Sequence, residues 1–305
     1  MTRDIKKDRQ VAHHTRYQVS TASGESQRDG WSAPQSLPGN LTMSRRGTVA
    51  VLRLSRPAKR NALDGAMIAG IASFFADPPA GVRAVVLHGE GEHFCAGLDL
   101  STLTEITAAN GIAYSRAWHR AFDQIENGTV PVIAVLHGAV VGGGLELAAS
   151  AHIRVAERSA YYALPEGMRG IFVGGGGAMR VPRLIGTARM IDMMLTGRTY
   201  GAEEGAPLGF SQYVVADAQG LAKGIELAER IADNTPLSTF AMLQALPRIA
   251  RADPDVGLLM ESLMASIVAS DEGARARLHA FLEKRAPKAT HGKSEPSAHA
   301  GRREG

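Results

Sequence analysis

A chain of 305 residues, 45% of them hydrophobic, can bury a substantial core in one large domain or two modest ones. No apolar run reaches the ~18–20 residues needed to cross a bilayer, and the charged start lacks the apolar stretch of a secretory signal. The single cysteine, Cys95, excludes an internal disulfide framework and suits a reducing cytoplasm, which is where the protein is expected.

The net charge of +4 could suggest a nucleic-acid partner, so its location matters. Residues 1–42 carry six basic and four acidic side chains, and residues 286–305 carry four and two; the body between holds 24 of each. A neutral body disfavours a basic binding face.

In chain order, residues 1–42 are polar, lack periodicity and are expected to be disordered, with Met43 immediately before the first convincing strand. Short runs rich in Val, Ile and Leu predict strands at 49–54, 84–88, 132–137, 152–156 and 212–216, with a further one at 161–164. Helical patterns cover 64–76, 103–126, 145–151, 187–196 and 221–233. From residue 237 the pattern is helical almost to 285, a block suited to packing or oligomerisation. The tail, 287–305, is again expected to be disordered. Strands interleaved with helices predict an α/β fold with a parallel sheet, with the core in 43–216 and a helical region in 217–286.

Three stretches carry chemistry. The strand at 132–137 runs through a turn into Gly142-Gly143-Gly144 and then a helix bearing Glu146. Glycines allow close backbone approach, and a helix start offers unpaired N–H donors that suit a developing oxyanion; tight strand–helix packing is the bland alternative. Around Cys95, the sequence Ala96-Gly97-Leu98-Asp99 offers a second backbone turn, with an N–H donor expected at Ala96 and Asp99 expected to cap the turn. Cys95 has only His93 nearby as a base and reads better as a small buried thiol. Finally, Pro165-Glu166 stands between an apolar strand and the glycine run 174–177, a poor setting for a solvated surface charge; a loop carboxylate paired with an arginine is the bland alternative. Backbone donors in its helix's first turn should favour ionised Glu146, and desolvation should raise the pKa of Glu166.

With Arg56-Pro57-Ala58-Lys59-Arg60-Asn61-Ala62-Leu63, Leu195-Thr196-Gly197-Arg198 and Ala280-Phe281-Leu282-Glu283-Lys284-Arg285, these motifs stand in the order found in the enoyl-CoA hydratase/isomerase (crotonase) family, which the chain resembles over roughly residues 45–288. The resemblance implies a spiral of repeated ββα units with C-terminal helices that build homotrimers or hexamers. It implies Glu146 and Glu166 as the catalytic pair, with the Ala96 and Gly143 N–H groups as the oxyanion hole. It also implies coenzyme A contacts from Lys59, Arg60 and Ala62 and, from a neighbouring subunit, Phe281 and Lys284. No metal is implied, and no cofactor beyond the coenzyme A of the substrate itself. Hydration of an enoyl thioester is the leading reading, and double-bond isomerisation or another acyl-CoA lyase or hydrolase chemistry is the alternative. RNA binding or scaffolding is a remoter one. The chain departs from the pattern at His137, expected to fill a buried polar slot, and at Val173; His119 and Trp118 are expected to pack the long helix.

Overall fold

Alternate residues of an extended strand point to opposite faces, so strands covered on both faces need apolar side chains at every position. The run Val49–Leu54 meets that demand everywhere but at the half-buried Arg53, and in the computed structural model, which describes residues 30–102 and 107–283, it forms an inner strand of a seven-stranded sheet. Three antiparallel strands open it: β1 (Gln35–Leu37), β2 (Leu41–Arg46) and β3 (Val49–Leu54). Parallel strands β4 (Ala84–Gly89), β5 (Val132–Leu136), β7 (Ile153–Glu157) and β10 (Tyr213–Val215) complete it. A second, three-stranded sheet joins β6 (Ala139–Val141), β8 (Tyr161–Ala163) and β9 (Tyr200–Gly201).

The expectation of disorder through residue 42 fails for 30–42. Leu41 is buried in the main core, and the Trp31 ring packs against the second core under the Arg46 guanidinium. These strands escaped the sequence reading because they are partly polar; β2 takes its backbone partners from β3, and β1 from β2.

Helices α1 (Gly65–Ala76) and α2 (Ala108–Glu126) connect β3 to β4 and β4 to β5. Each begins on a side-chain cap, Asp64 accepting from the Met67 N–H and Thr107 from that of Asn110. α3 (Gly143–Ser150) follows β6, and α4 (Gly177–Ile185) and α5 (Thr187–Thr196) follow β8; a short α6 (Ala202–Gly205) follows β9. One sheet face packs on α1 and α2 through Leu52, Leu87, Ile71 and Phe122. The other face packs Val51, Val86, Ile133 and Val155 on α7 (Gly220–Ala232). The helical block is broken into α8 (Pro236–Phe240), α9 (Leu246–Ile249), α10 (Pro254–Ser270) and α11 (Glu272–Leu282). Among the described residues, no helix is long and apolar enough to cross a membrane.

Candidate active site

Glycine at two neighbouring positions lets the start of α3 enter the site. Gly142 has φ +54°, and a Cβ there would lie 2.5 Å from the Glu166 carboxyl. A Cβ on Gly143 would lie 2.7 Å from the Trp118 ring, which covers this turn from α2. One turn into α3, Glu146 is buried, and its Oε1 accepts hydrogen bonds from the Gly175 and Gly177 N–H groups at 2.8 and 2.7 Å. Its fixed donors therefore come from a glycine loop about 30 residues away, rather than from the first turn of its own helix as expected. Burial raises its pKa, and the N–H groups of Gly177, Gly175 and Gly174, with the Arg180 charge, oppose that rise.

Glu166 follows β8 and is also buried. Its pKa rises to about 7, first through desolvation and then through the nearby Glu146 charge, with Arg169 opposing. Its Oε2 has no hydrogen-bond partner among the described residues. The two carboxyls line one cavity of about 230 Å³, walled by Leu98, Tyr114, Trp118, Phe172 and Val173. Sequence reasoning paired these glutamates, and the fold brings them to one place.

The donor expected at Ala96 requires correction. Its N–H is spent on the Arg60 carbonyl at 2.9 Å. Along this turn Leu63 N–H donates to the Gly97 carbonyl and Asp99 N–H to the Leu63 carbonyl, so the N–H between them, that of Leu98, faces the other way. It approaches Gly143, where a Cβ would lie 3.4 Å from Leu98 N. Neither the Leu98 nor the Gly143 N–H finds an acceptor among the described residues.

The remaining candidates divide. Asp99 is the expected turn cap, accepting from Ser101 Oγ at 2.6 Å and from Arg56 at 2.9 Å; these bonds hold its pKa down at about 2. Lys59 and Arg60 are exposed, while Ala62 is buried with its carbonyl occupied by Arg56. Arg60 edges a second groove with Ala96 and Arg169. Phe281 is exposed on α11, and Lys284 lies outside the described residues. Cys95 is fully buried, its thiol donating to the Asn61 carbonyl at 3.1 Å and its pKa pushed up to about 12, as suits an inert thiol. His137 stacks on His88 at 4.6 Å, and its Nε2 is hydrogen-bonded to the Gly91 carbonyl, so it fills a buried polar slot. The sequence reading missed Ser115, whose hydroxyl reaches the Gly174 carbonyl, and Arg180, which reaches that of Gly175. The glycine run at 174–177 was the available signal.

A family model described as enoyl-CoA hydratase/isomerase matches residues 44–292. The chain belongs to this family. It is 57% identical to a Rhodopseudomonas palustris protein assigned as an enoyl-CoA hydratase, whose crystal structure superposes with a TM-score of 0.79 over 81% of this chain and 95% of that one. The Bacillus anthracis enoyl-CoA hydratase structure is 31% identical, with a TM-score of 0.76 over 82% and 98% of the two chains. The short-chain-enoyl-CoA hydratase of Clostridium acetobutylicum is 31% identical over 249 residues, covering 81% of this chain and 95% of the relative. These likenesses fit the expected crotonase-type α/β fold and the hydratase class of enzyme.

Proposed function

We propose that this chain adds water across the 2,3-double bond of an enoyl-CoA thioester. The observation that carries the reading is the pair of carboxyls in one cavity, each in a different environment. Glu146, whose two N–H donors on one oxygen oppose the rise that burial causes, is the better equipped of the two to ionise and take a proton from water. Glu166, with a pKa near 7, is equipped to carry a proton to the α-carbon. As the water oxygen bonds to the β-carbon, its proton passes to Glu146. The electron pair of the double bond moves toward the thioester carbonyl, and Glu166 protonates the α-carbon. The Leu98 and Gly143 N–H groups are the donors we assign to that carbonyl oxygen, a role in which one donor contributes about 3–4 kcal/mol.

The coenzyme A moiety arrives with the substrate, and no other cofactor enters this scheme. Lys59, Arg60 and Ala62 stand beside the Ala96 turn and are assigned to it; Phe281 and Lys284 are assigned as contacts from a neighbouring subunit. That assignment goes with a homotrimer or a hexamer of paired trimers. Supporting it, α10 turns Leu259, Leu263 and Ile267 outward at four-residue spacing, an apolar stripe that needs a partner surface. One cysteine, buried and reduced, accords with a cytoplasmic location. The test is turnover of a panel of enoyl-CoA thioesters by the purified protein. Failure to hydrate any of them, with migration of the double bond instead, would favour an isomerase that uses Glu166 alone.

A further inference from the structure

The backbone that holds Glu146 has no side chains of its own to steady it. Residues 174–177 are four consecutive glycines, and a peptide unit between glycines can flip at little steric cost. The unit joining Gly174 to Gly175 carries the Gly174 carbonyl and the Gly175 N–H on opposite edges of one plane. Its N–H donates to Glu146 Oε1 at 2.8 Å, and its carbonyl accepts from Ser115 Oγ at 2.6 Å. A serine hydroxyl has one proton, and this one is spent on Gly174. The 3.3 Å contact between Ser115 Oγ and His119 Nε2 therefore makes the imidazole the donor. Ser115 and His119 lie four residues apart, on one face of α2.

We propose that Ser115, oriented by His119, is a positioning residue that locks the Gly174–Gly175 peptide so that its N–H stays aimed at Glu146. The proposal deepens the reading of Glu146 as the base and rests on it for its catalytic consequence. The donors run in one direction, from imidazole to hydroxyl to peptide to carboxylate, so each bond polarises the next. The next peptide is held from the other side by Arg180, whose Nη1 donates to the Gly175 carbonyl at 3.1 Å while its Nε rests on Glu126 at 2.7 Å. The charged groups facing Glu146 are Glu166, from the segment after β8, and Arg180, from α4; α2 brings His119 and, through Arg180, Glu126. Replacing Ser115 removes the hydroxyl partner of His119 but touches none of the groups that contact Glu146, and so isolates the peptide.

The experiment compares wild type, Ser115→Ala and Ser115→Thr in two measurements. The first is kcat and KM for a crotonyl-CoA substrate across pH. The second, which needs no turnover, is the titration of the Glu146 carboxyl by carbon-13 NMR of the free enzyme, assigned with Glu146→Gln. Loss of one locking hydrogen bond should lower kcat roughly tenfold with KM within about threefold. It should also raise the Glu146 pKa by up to about one unit, and Ser115→Thr should restore both. If Ser115→Ala fails to fold, Ser115→Cys, a weak donor of similar size, should give the same two changes. Wild-type kcat with an unmoved Glu146 titration in the variant overturns the proposal. A shifted titration in an enzyme that hydrates no thioester would keep the lock and remove the hydratase reading.

Discussion

The glycine-lined site and the C-terminal helices treat their polar and apolar groups in opposite ways. Around Glu146 each strong contact closes within the chain: the carboxyl takes two backbone N–H groups, Ser115 takes the Gly174 carbonyl, and Arg180 takes the Gly175 carbonyl and Glu126. On α10 and α11 the apolar side chains face outward, with Leu258, Leu259, Leu263, Leu278 and Leu282 all more than half exposed. The first region closes its hydrogen bonds within one chain, around a cavity of about 230 Å³. The second leaves those apolar side chains uncovered in the single chain. The difference sets the proposed chemistry in one region and the proposed assembly in the other.

The largest expected effect tests the closed region. Glu146→Gln and Glu166→Gln should each lower hydration of a crotonyl-type thioester by at least ~100-fold, the lower end for loss of a positioned acid or base. Substrate binding should change little, because the assigned donors at Leu98 and Gly143 are backbone groups. A Glu146→Gln enzyme with near-full turnover would end the hydratase assignment. Next comes Gly143→Ala, whose new methyl meets the Trp118 ring at 2.7 Å and must push it or the turn aside. Kinetics should show a fall of roughly tenfold to a hundredfold in kcat/KM, as the assigned oxyanion donor moves.

The open region is tested by Leu259→Asp combined with Leu263→Asp. Light scattering should report a shift from trimer or hexamer toward monomer at micromolar concentration, with the circular dichroism of the sheet retained. A wild-type protein that is already monomeric would break the comparison and remove the intersubunit role given to Phe281 and Lys284.

A smaller effect comes from pH. If Glu166 must be protonated to deliver its proton, kcat/KM should fall as pH rises through about 7. The same shift bears on stability. A carboxyl whose folded pKa lies above its ordinary 4.5 stabilises the fold fully below that value and loses the contribution as pH rises to about 7. The loss is at most about 3 kcal/mol. Glu166→Gln should flatten that part of the denaturation profile, and an unchanged slope would argue against the raised pKa. The smallest effect is expected at the N-terminus. A chain beginning at Gly30 should keep its melting temperature, whereas one beginning at Met43 loses β1 and the buried Leu41 and should melt lower.

Much of this was legible in the sequence, for physical reasons that differ from element to element. Inner strands such as Val132–Leu136, and Val49–Leu54 apart from Arg53, announce themselves because two covered faces demand apolar residues, and α5 lies where its periodicity put it. Glu166 drew notice because a carboxyl between an apolar strand and a glycine run makes a poor surface charge, and its pairing with Glu146 came from the resemblance to the family. Only the tertiary structure decided which backbone groups were free. The Arg60 carbonyl, 36 positions before Ala96 in the sequence, takes the Ala96 N–H, while Leu63 pairs with Gly97 and Asp99 and so leaves the Leu98 N–H between them as the donor facing Gly143. It also decided the setting of Glu146, since its N–H donors lie at Gly175 and Gly177 and their clamp at Ser115. β1, at the sheet edge, and β2 beside it were hidden for a related reason: such a strand is defined by the neighbour it pairs with, and a partly polar sequence does not name that neighbour. Local sequence sets what each residue prefers, while a hydrogen bond between distant segments exists only once the fold has spent the entropy to bring them together.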